Sequence, residues 1–347
     1  MDSLTYLARA STESYLHASE HFTWLMSDTV LFIAAVLVAF LGWATLAQII
    51  SARFAHMHWL IAAYHDAASF VDPAVAVTFL AGLLLSVALL IVVSRRSTPS
   101  LVPTEWRPYT LVSKRPASPT TAIYRFALPR ADSRLGLPIG KHVLVRADIG
   151  GKQVMRSYTP ITDDSLPGAF ELLVKTYPHG RISRRFAELN IGDTLEMKGP
   201  RGNYTYVPNM YDRIGMIAGG TGLTPCLQVI KAALRDTNDR TKFDLIYANV
   251  SQEEILLMEH IDELVAAHPD RLRVHYFLNT APAGWTGGIG FVSREAIEKH
   301  LPHLEENGQV IMCGPPPMMD AMSRILVACG YPAPSLVSHA HDRIFIF

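Results

Sequence analysis

The chain has 347 residues, no net formal charge and 49% hydrophobic residues, which is long enough for two or three domains. Residues 101–210 hold sixteen Lys/Arg and nine Asp/Glu, a net of +7, whereas residues 211–347 hold eleven and sixteen, a net of −5. The basic charges are scattered and no nucleic-acid-binding motif accompanies them, so we expect no nucleic-acid partner. Three cysteines without a CxxC pair support neither a disulfide scaffold nor a zinc site, and we predict no metal.

Two uncharged apolar runs lie in the first hundred residues. Residues 30–50 read VLFIAAVLVAFLGWATLAQII and residues 74–93 read AVAVTFLAGLLLSVALLIVV. Each has about the 20 residues that cross a bilayer core as a transmembrane helix, and core helices rarely stay uncharged for so long. Arg95 and Arg96 follow the second run, so the positive-inside bias predicts that the rest of the chain faces the cytosol. We expect residues 1–100 to form a membrane anchor.

The next segment, residues 101–210, contains six short β-like runs after a Ser/Pro/Thr-rich linker at residues 94–105. The runs read TLVSK, IYRFAL, KHVLVRADI, VMRSYTP, FELLVKTY and TLEMKG, and Gly, Pro and Asp separate them. Many short strands with few helices predict a small antiparallel β-barrel domain.

The pattern changes over residues 211–347. The apolar runs IGMIAGG, FDLIYANV, LRVHYFLN and QVIMCG show no alternation, which is typical of buried parallel strands. Helix-like stretches lie between and after them: PCLQVIKAALRD, EEILLMEHIDELVAAH and PPPMMDAMSRILVACG. This βαβ series predicts an α/β domain with a parallel, Rossmann-like sheet.

Two motifs of the predicted barrel carry groups that suit a phosphate. The run RSYT at residues 156–159 closes a strand and offers a guanidinium fork, an aromatic face and short donors. The run GRIS at residues 180–183 precedes a helix-like stretch, which we expect Ser183 to cap. A helix N-terminus near arginines is an anion site. Read alone, RSYT fits an ordinary strand end equally well, and GRIS fits the N-cap of a surface helix with solvated arginines equally well.

Two motifs of the predicted α/β domain follow parallel strands, where ligands of such sheets bind. AGGTGLTP at residues 218–225 stands between a strand and a helix, and its glycines allow a dinucleotide to approach the backbone. It is not a GxGxxG fingerprint, because Pro225 stands where the third Gly would be. CGPPPM at residues 313–318 also joins a strand to a helix. The alternative for the first motif is a glycine turn with a purely structural role. The alternative for the second is that Cys313 is an ordinary buried apolar residue.

Taken in order, these motifs resemble the NADH-cytochrome b5 reductase family of ferredoxin-reductase-like flavoproteins. The resemblance covers residues 106–347, looks most like fungal members and is carried by FELLVKTY, NIGDTLEMKGPRGNYTY, GMIAGGTGLTPCLQVI, APAGWTGGIGFV and MCGPPPMM. It implies FAD and NADH as cofactors, hydride transfer from NADH to FAD, and delivery of single electrons to cytochrome b5 or a similar acidic acceptor. It also implies electron supply to diphthamide synthesis as another destination.

The resemblance further implies roles for residues at matching positions. The positions implied to hold FAD are Arg156, Ser157, Tyr158, Thr159, Gly180, Arg181, Ile182 and Ser183. Leu173, Lys175 and Tyr177 are implied to lie on the strand beside the flavin, with Lys175 near the NADH. Those implied to receive NADH or to border the nicotinamide and flavin are Gly219, Gly220, Thr221, Gly222, Thr224, Cys313, Gly314, Pro315, Met318 and the C-terminal Phe347. Among them, Thr159, Lys175 and Cys313 are the candidate catalytic residues.

Coenzyme choice is predicted from the residues after the run FDLIYANV. Residues 251–254 read SQEE, which is neutral or acidic, so NADH should be preferred over the 2′-phosphorylated NADPH. Asn279 stands where animal members of the family tend to carry Asp, which makes the preference less strict.

Two rival interpretations stay open. Another NAD(P)H-dependent flavin reductase, of the ferric or NADPH-oxidase type, would need several spans with haem-binding His pairs, and the His residues at 56, 58 and 65 lie outside both apolar runs. The second rival is a membrane scaffold with an inactive flavin fold, and the intact cofactor motifs argue against it.

Asp163 and Asp164 are interpreted as solvated loop residues. We expect an endoplasmic reticulum or mitochondrial outer membrane location with the catalytic domain facing the cytosol.

Overall fold

The computed structural model describes residues 81–82, 84–86, 100–303 and 307–347. Contacts divide the chain into two units, Met1–Arg96 and Ser97–Phe347. In the first unit the described residues are helical; the predicted span at residues 30–50 and the remainder of the span at 74–93 lie outside the described residues. Within the described residues, no helix combines the length and the apolar character needed to cross a membrane.

The first part of the second unit is a six-stranded sheet with the strand order β4-β3-β6-β1-β2-β5. Its antiparallel pairing confirms the prediction, whereas no ladder joins the edge strands β4 and β5 among the described residues, so closure into a barrel stays a prediction. The six β-like runs of the sequence correspond to its six strands. Along β3 and β6, buried residues alternate with more exposed ones, so one face of each strand packs on the core. The strands are β1 (Arg107–Ser118), β2 (Thr121–Ala127), β3 (His142–Ile149), β4 (Lys152–Tyr158), β5 (Ala169–Lys175) and β6 (Thr194–Arg201).

Helix α1 (Arg181–Glu188) covers the gap between the two edge strands, β4 and β5. Its buried face carries Ile182, Ser183 and Phe186. The Phe186 ring lies 5.0 Å from the ring of Tyr124 on β2 and 5.0 Å from that of Tyr158 on β4, both edge-on. Because such aromatic contacts bury large apolar areas, they fix the start of α1 beside the end of β4.

The second part of the unit is a six-stranded parallel sheet, again as predicted, with the order β10-β9-β8-β7-β11-β12. Its strands are β7 (Arg213–Gly219), β8 (Lys242–Asn249), β9 (Leu272–Leu278), β10 (Gly288–Ile289), β11 (Gly308–Cys313) and β12 (Ile344–Ile346). Its helices are α2 (Leu223–Arg235), α3 (Met258–Ala267), α4 (Arg294–His300) and α5 (Pro316–Ala328). The chain proceeds from β7 to β8 on one side and returns to β11 on the other. Ligands bind at such a reversal, outside the carboxyl ends of the strands.

One predicted helix begins later than its sequence pattern indicates. The helix-like stretch from Glu253 is a 3₁₀ turn over Gln252–Glu254, and α3 starts only at Met258. Between them Leu257 adopts a left-handed conformation with φ 56°. The physical reason is tertiary packing, because Leu256 and Leu257 lie against Leu173 of β5 instead of continuing a helix.

Candidate active site

The end of β4 places a cation and an aromatic ring at the edge of the antiparallel sheet. Arg156 and Ser157 are exposed, and the Arg156 guanidinium donates only to the neighbouring carbonyl of Met155, at 2.7 Å, among the described residues. Tyr158 is half-buried, and burial raises the pKa of its hydroxyl. Thr159 follows, also half-buried. The guanidinium is therefore free to bind an anion beside a flat aromatic face.

The turn from β5 to α1 differs from its prediction at Ser183. The helix begins at Arg181 with Gly180 as N-cap and no capping side chain, so Ser183 lies inside the first turn. Its Oγ instead accepts a hydrogen bond from the backbone N–H of Tyr177, at 3.3 Å, which fixes the loop before the helix. The first N–H groups of α1 are left for an external acceptor, as in anion sites at helix N-termini.

A cavity of about 550 Å³ opens beside the N-terminus of α1. Its walls come from one outward face of the helix, spaced three and four residues apart, and from β3 and β6. The charged side chains that line it are Arg146, Asp148, Arg181, Arg184, Arg185, Glu188 and Glu196. An excess of cations next to a helix N-terminus favours a phosphorylated ligand.

Strand β5 carries three of the predicted residues across toward the parallel sheet. Leu173 is buried, and Tyr177, just after the strand, is exposed. The Lys175 ammonium lies 2.7 Å from a carboxylate oxygen of Glu254, which belongs to the 3₁₀ turn after β8, and 5.9 Å from the Tyr177 ring centroid. Sequence analysis did not predict this pairing, because it depends on how the two sheets face each other.

The two motifs of the parallel sheet meet at the carboxyl ends of β7 and β11. Cys313 pairs in register with Ala218, so the loop after β7 (residues 219–222, the nucleotide loop) lies on the loop after β11 (residues 313–318, the proline loop). A Cβ on Gly219 would stand 2.5 Å from Met318 Sδ and 3.0 Å from Pro315 Cδ, and one on Gly222 would overlap the Cys313 carbonyl. Only glycine permits this contact.

Two further predicted residues, Thr221 and Thr224, lie at this junction together with Cys313. Thr224, buried at the start of α2, donates a hydrogen bond of 3.2 Å to the Thr221 carbonyl. Burial raises the pKa of Cys313 to about 12, so its thiol is neutral at physiological pH. It can pack against a ligand but is not a thiolate nucleophile.

The predicted C-terminal aromatic, Phe347, packs on the parallel sheet. Its ring centroid lies 5.3 Å from that of Tyr204 and 5.0 Å from that of Phe345. Its N–H donates to the Met312 carbonyl at 3.0 Å. Tyr204, which sequence reasoning did not single out, is fully buried and donates to Gln309 Oε1 at 2.9 Å.

The interpretation of Asp163 and Asp164 as solvated loop residues is wrong. Arg235 of α2 forms an ion pair with Asp163, and the Asp164 carboxylate accepts the N–H of Gly136 at 2.8 Å. Both aspartates are half-buried. They hold the loop after β4 against α2 and against the segment before β3, which is a structural role that spacing along the chain does not reveal.

The residues present fit FAD at the antiparallel sheet and NADH at the parallel sheet. For FAD, the donors are the Arg156 guanidinium and the uncapped first turn of α1. For NADH, a Cβ on Gly220, whose φ is 52°, would meet nothing within 4 Å, so the backbone there is open to a ligand.

Comparisons with known proteins agree with this division of the chain. The family model described as an oxidoreductase FAD-binding domain matches residues 108–206, and that of an oxidoreductase NAD-binding domain matches residues 216–324. A protein of Mycosarcoma maydis named NADH-cytochrome b5 reductase 1 is 46% identical over 325 residues, covering 93% of this chain and 100% of its own. Its namesake in Cryptococcus neoformans var. neoformans serotype D is 48% identical over 279 residues, with 78% and 95% covered.

Among solved structures, the cytochrome b5 reductase domain of Ulva prolifera nitrate reductase is similar, with a TM-score of 0.66 and 35% identity over 72% of this chain and 100% of that domain. The fold and the site thus define an oxidoreductase that binds FAD on an antiparallel sheet and a nicotinamide dinucleotide on a parallel one. Because the sequence identity of 46–48% extends over most of this chain and of its relatives, this chain belongs to the NADH-cytochrome b5 reductase family.

Proposed function

We propose that the protein is an NADH-cytochrome b5 reductase, which passes electrons from NADH through FAD to cytochrome b5 or a similar one-electron acceptor. The observation that carries the proposal is the ion pair of 2.7 Å between Lys175 and Glu254. It ties the strand beside the proposed flavin site to the segment beside the nucleotide loop. The two sites therefore face each other, as direct hydride transfer between two bound rings requires.

Bound FAD supplies the redox chemistry, because it accepts a hydride and can release electrons singly. The chain supplies binding and orientation. Arg156 and the first turn of α1 bind the diphosphate, and Tyr158 offers its ring to the flavin. Leu173, with Ile123 and Leu256, forms an apolar cluster between the two sheets that excludes water.

Reduction by NADH followed by an acceptor panel tests the proposal. The purified chain should bind FAD, turn yellow, bleach when NADH is added anaerobically, and reduce both cytochrome b5 and ferricyanide. A chain that binds FAD and reduces ferric chelates but not cytochrome b5 would instead be a ferric reductase. A chain that binds no FAD would be an inactive scaffold, and either result would contradict the proposal.

Arg156→Leu probes the flavin site itself. Since a hydrogen bond to a charged group contributes about 1.5–3 kcal/mol, we expect its loss to weaken FAD binding by about 10- to 100-fold. Arg125→Leu serves as the matched control. Arg125 lies on β2 of the same sheet, three strands away from β3, the neighbour of β4, and no contact among the described residues places it at the site. Equal FAD affinity of the two variants would show that Arg156 does not hold the cofactor.

We also propose that residues 30–50 and 74–93 anchor the enzyme in the endoplasmic reticulum or mitochondrial outer membrane, with the catalytic unit in the cytosol. The two uncharged runs and the arginines at 95 and 96 support this topology. The full chain should resist extraction by alkaline carbonate, and protease added to intact organelles should digest the catalytic unit. Extraction by carbonate would rule out the membrane anchor. Protection of the catalytic unit from protease would rule out its cytosolic orientation.

A further inference from the structure

Tyr247 lies near the end of β8 with its hydroxyl between two separate loops. The side chain is fully buried. Its hydroxyl donates to the Gly220 carbonyl of the nucleotide loop at 3.2 Å and accepts the Leu256 N–H at 3.2 Å. Burial raises the pKa of the hydroxyl, so it stays protonated and both hydrogen bonds persist.

The Leu256 side of this bridge reaches the antiparallel sheet. We call residues 252–257 the bridging segment. Leu256 is 2% exposed and packs with Ile123 of β2 and Leu173 of β5. Two residues earlier, Glu254 pairs with Lys175 of β5. The bridging segment is therefore held by the flavin-side sheet through Glu254 and the Leu256 side chain, and by Tyr247 through the Leu256 N–H.

A phenylalanine would fill the same space without the cost of burying a hydroxyl. Burial of a polar group is favourable only when its hydrogen bonds are made. Here the two bonds go to backbone atoms of different segments, neither of which belongs to the ladder of β8. The hydroxyl thus adds nothing to strand pairing, and what it does is fix Gly220 relative to Leu256.

We propose that Tyr247 is a positioning residue that holds the nucleotide loop in place relative to the flavin-binding sheet. The inference rests on the proposed function, since it assigns the nucleotide loop to NADH. Through Gly220 and Leu256, the hydroxyl fixes the distance between the coenzyme and the flavin. Small errors in such a distance slow a transfer step strongly.

The test compares Tyr247→Phe with Tyr276→Phe in the full chain loaded with FAD. Tyr276 lies on the adjacent strand with its ring 6.2 Å away, but its hydroxyl donates to Asp262 on the exposed side. Flavin reduction by saturating NADH, followed by stopped flow, should slow about tenfold in Tyr247→Phe, the effect of losing one to two ordinary hydrogen bonds. The isotope effect with NADH deuterated at the transferred position should rise, and Tyr276→Phe should keep the wild-type rate.

The rate of electron transfer from the reduced flavin to cytochrome b5 distinguishes a positioning role of Tyr247 from general damage to the fold. Dithionite-reduced Tyr247→Phe should reduce cytochrome b5 at the wild-type rate, because that step does not use NADH. An equal slowing of both steps, or a wild-type rate of flavin reduction, would overturn the inference. If wild-type enzyme binds FAD but NADH does not reduce it, the proposed function fails as well, so the two failures are distinguishable.

Hydrogen exchange gives a second readout that also works on unaltered protein. In the wild type, NAD⁺ binding should slow exchange across the bridging segment as well as the nucleotide loop. In Tyr247→Phe, protection of the nucleotide loop should remain while that of residues 252–257 is lost. Protection confined to the nucleotide loop of the wild type would overturn the inference, even if the variant does not fold.

Discussion

Glu253 and Glu254 are neighbours in the chain, yet their carboxylates have different surroundings. Glu254 is neutralised by Lys175 at 2.7 Å. Glu253 is exposed and accepts a hydrogen bond of 2.6 Å from the Ser251 hydroxyl, which lowers the pKa of Glu253. Of the two carboxylates, that of Glu253 has no cation partner within the part of the chain that the structure describes. Its negative charge can therefore repel a 2′-phosphate, which carries nearly two charges.

We therefore expect Glu253→Gln to narrow the preference for NADH over NADPH. The ratio of the two kcat/KM values should fall about fivefold, because one exposed like-charge contact is removed. Glu254→Gln is the matched control, because it frees Lys175 and should affect both coenzymes alike. Asn279→Asp should sharpen the preference. A larger narrowing from Glu254→Gln than from Glu253→Gln would refute this assignment.

The burial of the Cys313 thiol leads to a prediction for the pH dependence of flavin reduction by NADH. Because burial raises its pKa to about 12, the thiol stays protonated far above the ordinary value of about 8.5. The rate of flavin reduction by NADH should show no inflection from this group between about pH 6 and about pH 10. An inflection near pH 8.5 that disappears in Cys313→Ser would show instead that a thiolate takes part.

Single residues were predictable where their own chemistry restricts the backbone or the ligand. The glycines of the nucleotide loop and Arg156 belong to this group, since glycine alone allows a close approach and arginine alone offers a planar fork. Lys175 was predicted from the family pattern near NADH, but its partner Glu254 was not. That pairing lies 79 positions away and depends on the placement of one sheet against the other, which no local pattern encodes.

At the scale of elements, one face of α2 holds the two sheets of the catalytic unit together. Gln228 accepts the Gly140 N–H at 2.8 Å, and Lys231 donates to the Ile161 carbonyl at 3.1 Å. Arg235 completes the face with its ion pair to Asp163. The three side chains are three and four residues apart, so they share one side of the helix.

Stability should respond to acid through Asp163. Burial alone would raise the pKa of this carboxyl, but hydrogen bonds from Arg235 and from Ser165 outweigh it and hold the pKa well below its ordinary value. A carboxyl with a lowered folded-state pKa contributes stability that is fully present above the unfolded value of about 3.9 and is lost as pH falls below it.

Asp163→Asn should therefore lower the free energy of unfolding near neutral pH by about 1 kcal/mol, because Arg235 is exposed and solvent screens the pair. Thermal melts should show a Tm lower by roughly 2–4 °C at neutral pH and no difference from wild type at strongly acidic pH. Asp270→Asn, at an exposed position, should leave both melts unchanged. A Tm difference that persists in acid would point to a cause other than ionisation.

Elements with a clear period or a long apolar run were predicted from the sequence, and the shortest elements were missed. The six antiparallel strands and the parallel strands β7, β8, β9 and β11 follow their sequence patterns. Two parallel strands, Gly288–Ile289 and Ile344–Ile346, are too short to show any period. Helix α4 covers seven residues, and its main local signal is the Ser293 side chain, which accepts the Ala296 N–H at 3.3 Å. Neighbouring strands and helices, more than local propensity, stabilise such elements.

At the scale of the whole molecule, the flavin half carries +7 and the nucleotide half −5. An acidic acceptor should therefore approach the flavin half. The candidate docking charges are Lys141, Arg146, Lys152, Arg181, Arg184 and Arg185. Arg181 is also a candidate for the FAD diphosphate, and the structure distinguishes the first three. Lys141 donates to the Gly202 carbonyl at 2.9 Å and to Thr205 at 3.1 Å, and Arg146 pairs with Glu196 at 2.8 Å. Lys152 is exposed at the start of β4, which makes it the cleaner probe.

We expect Lys152→Glu to slow reduction of cytochrome b5 several-fold at low ionic strength while flavin reduction by NADH stays unchanged. The effect should shrink as salt shortens the Debye length to about 8 Å at physiological strength. Ferricyanide, a small anion that needs no protein docking surface, is the control acceptor. A cytochrome b5 rate that is independent of salt and of this substitution would place the docking surface elsewhere.

The tyrosines that follow β6 have a consequence for building hybrids with relatives. Tyr204 and Tyr206 come directly after the last antiparallel strand, yet both are anchored in the parallel half, through Gln309 and Asp239. A recombination junction at Met210 would separate these rings from the side chains that bind them. A junction at the exposed Gly202 keeps each ring with its native partners, so chimeras joined there should retain both halves intact.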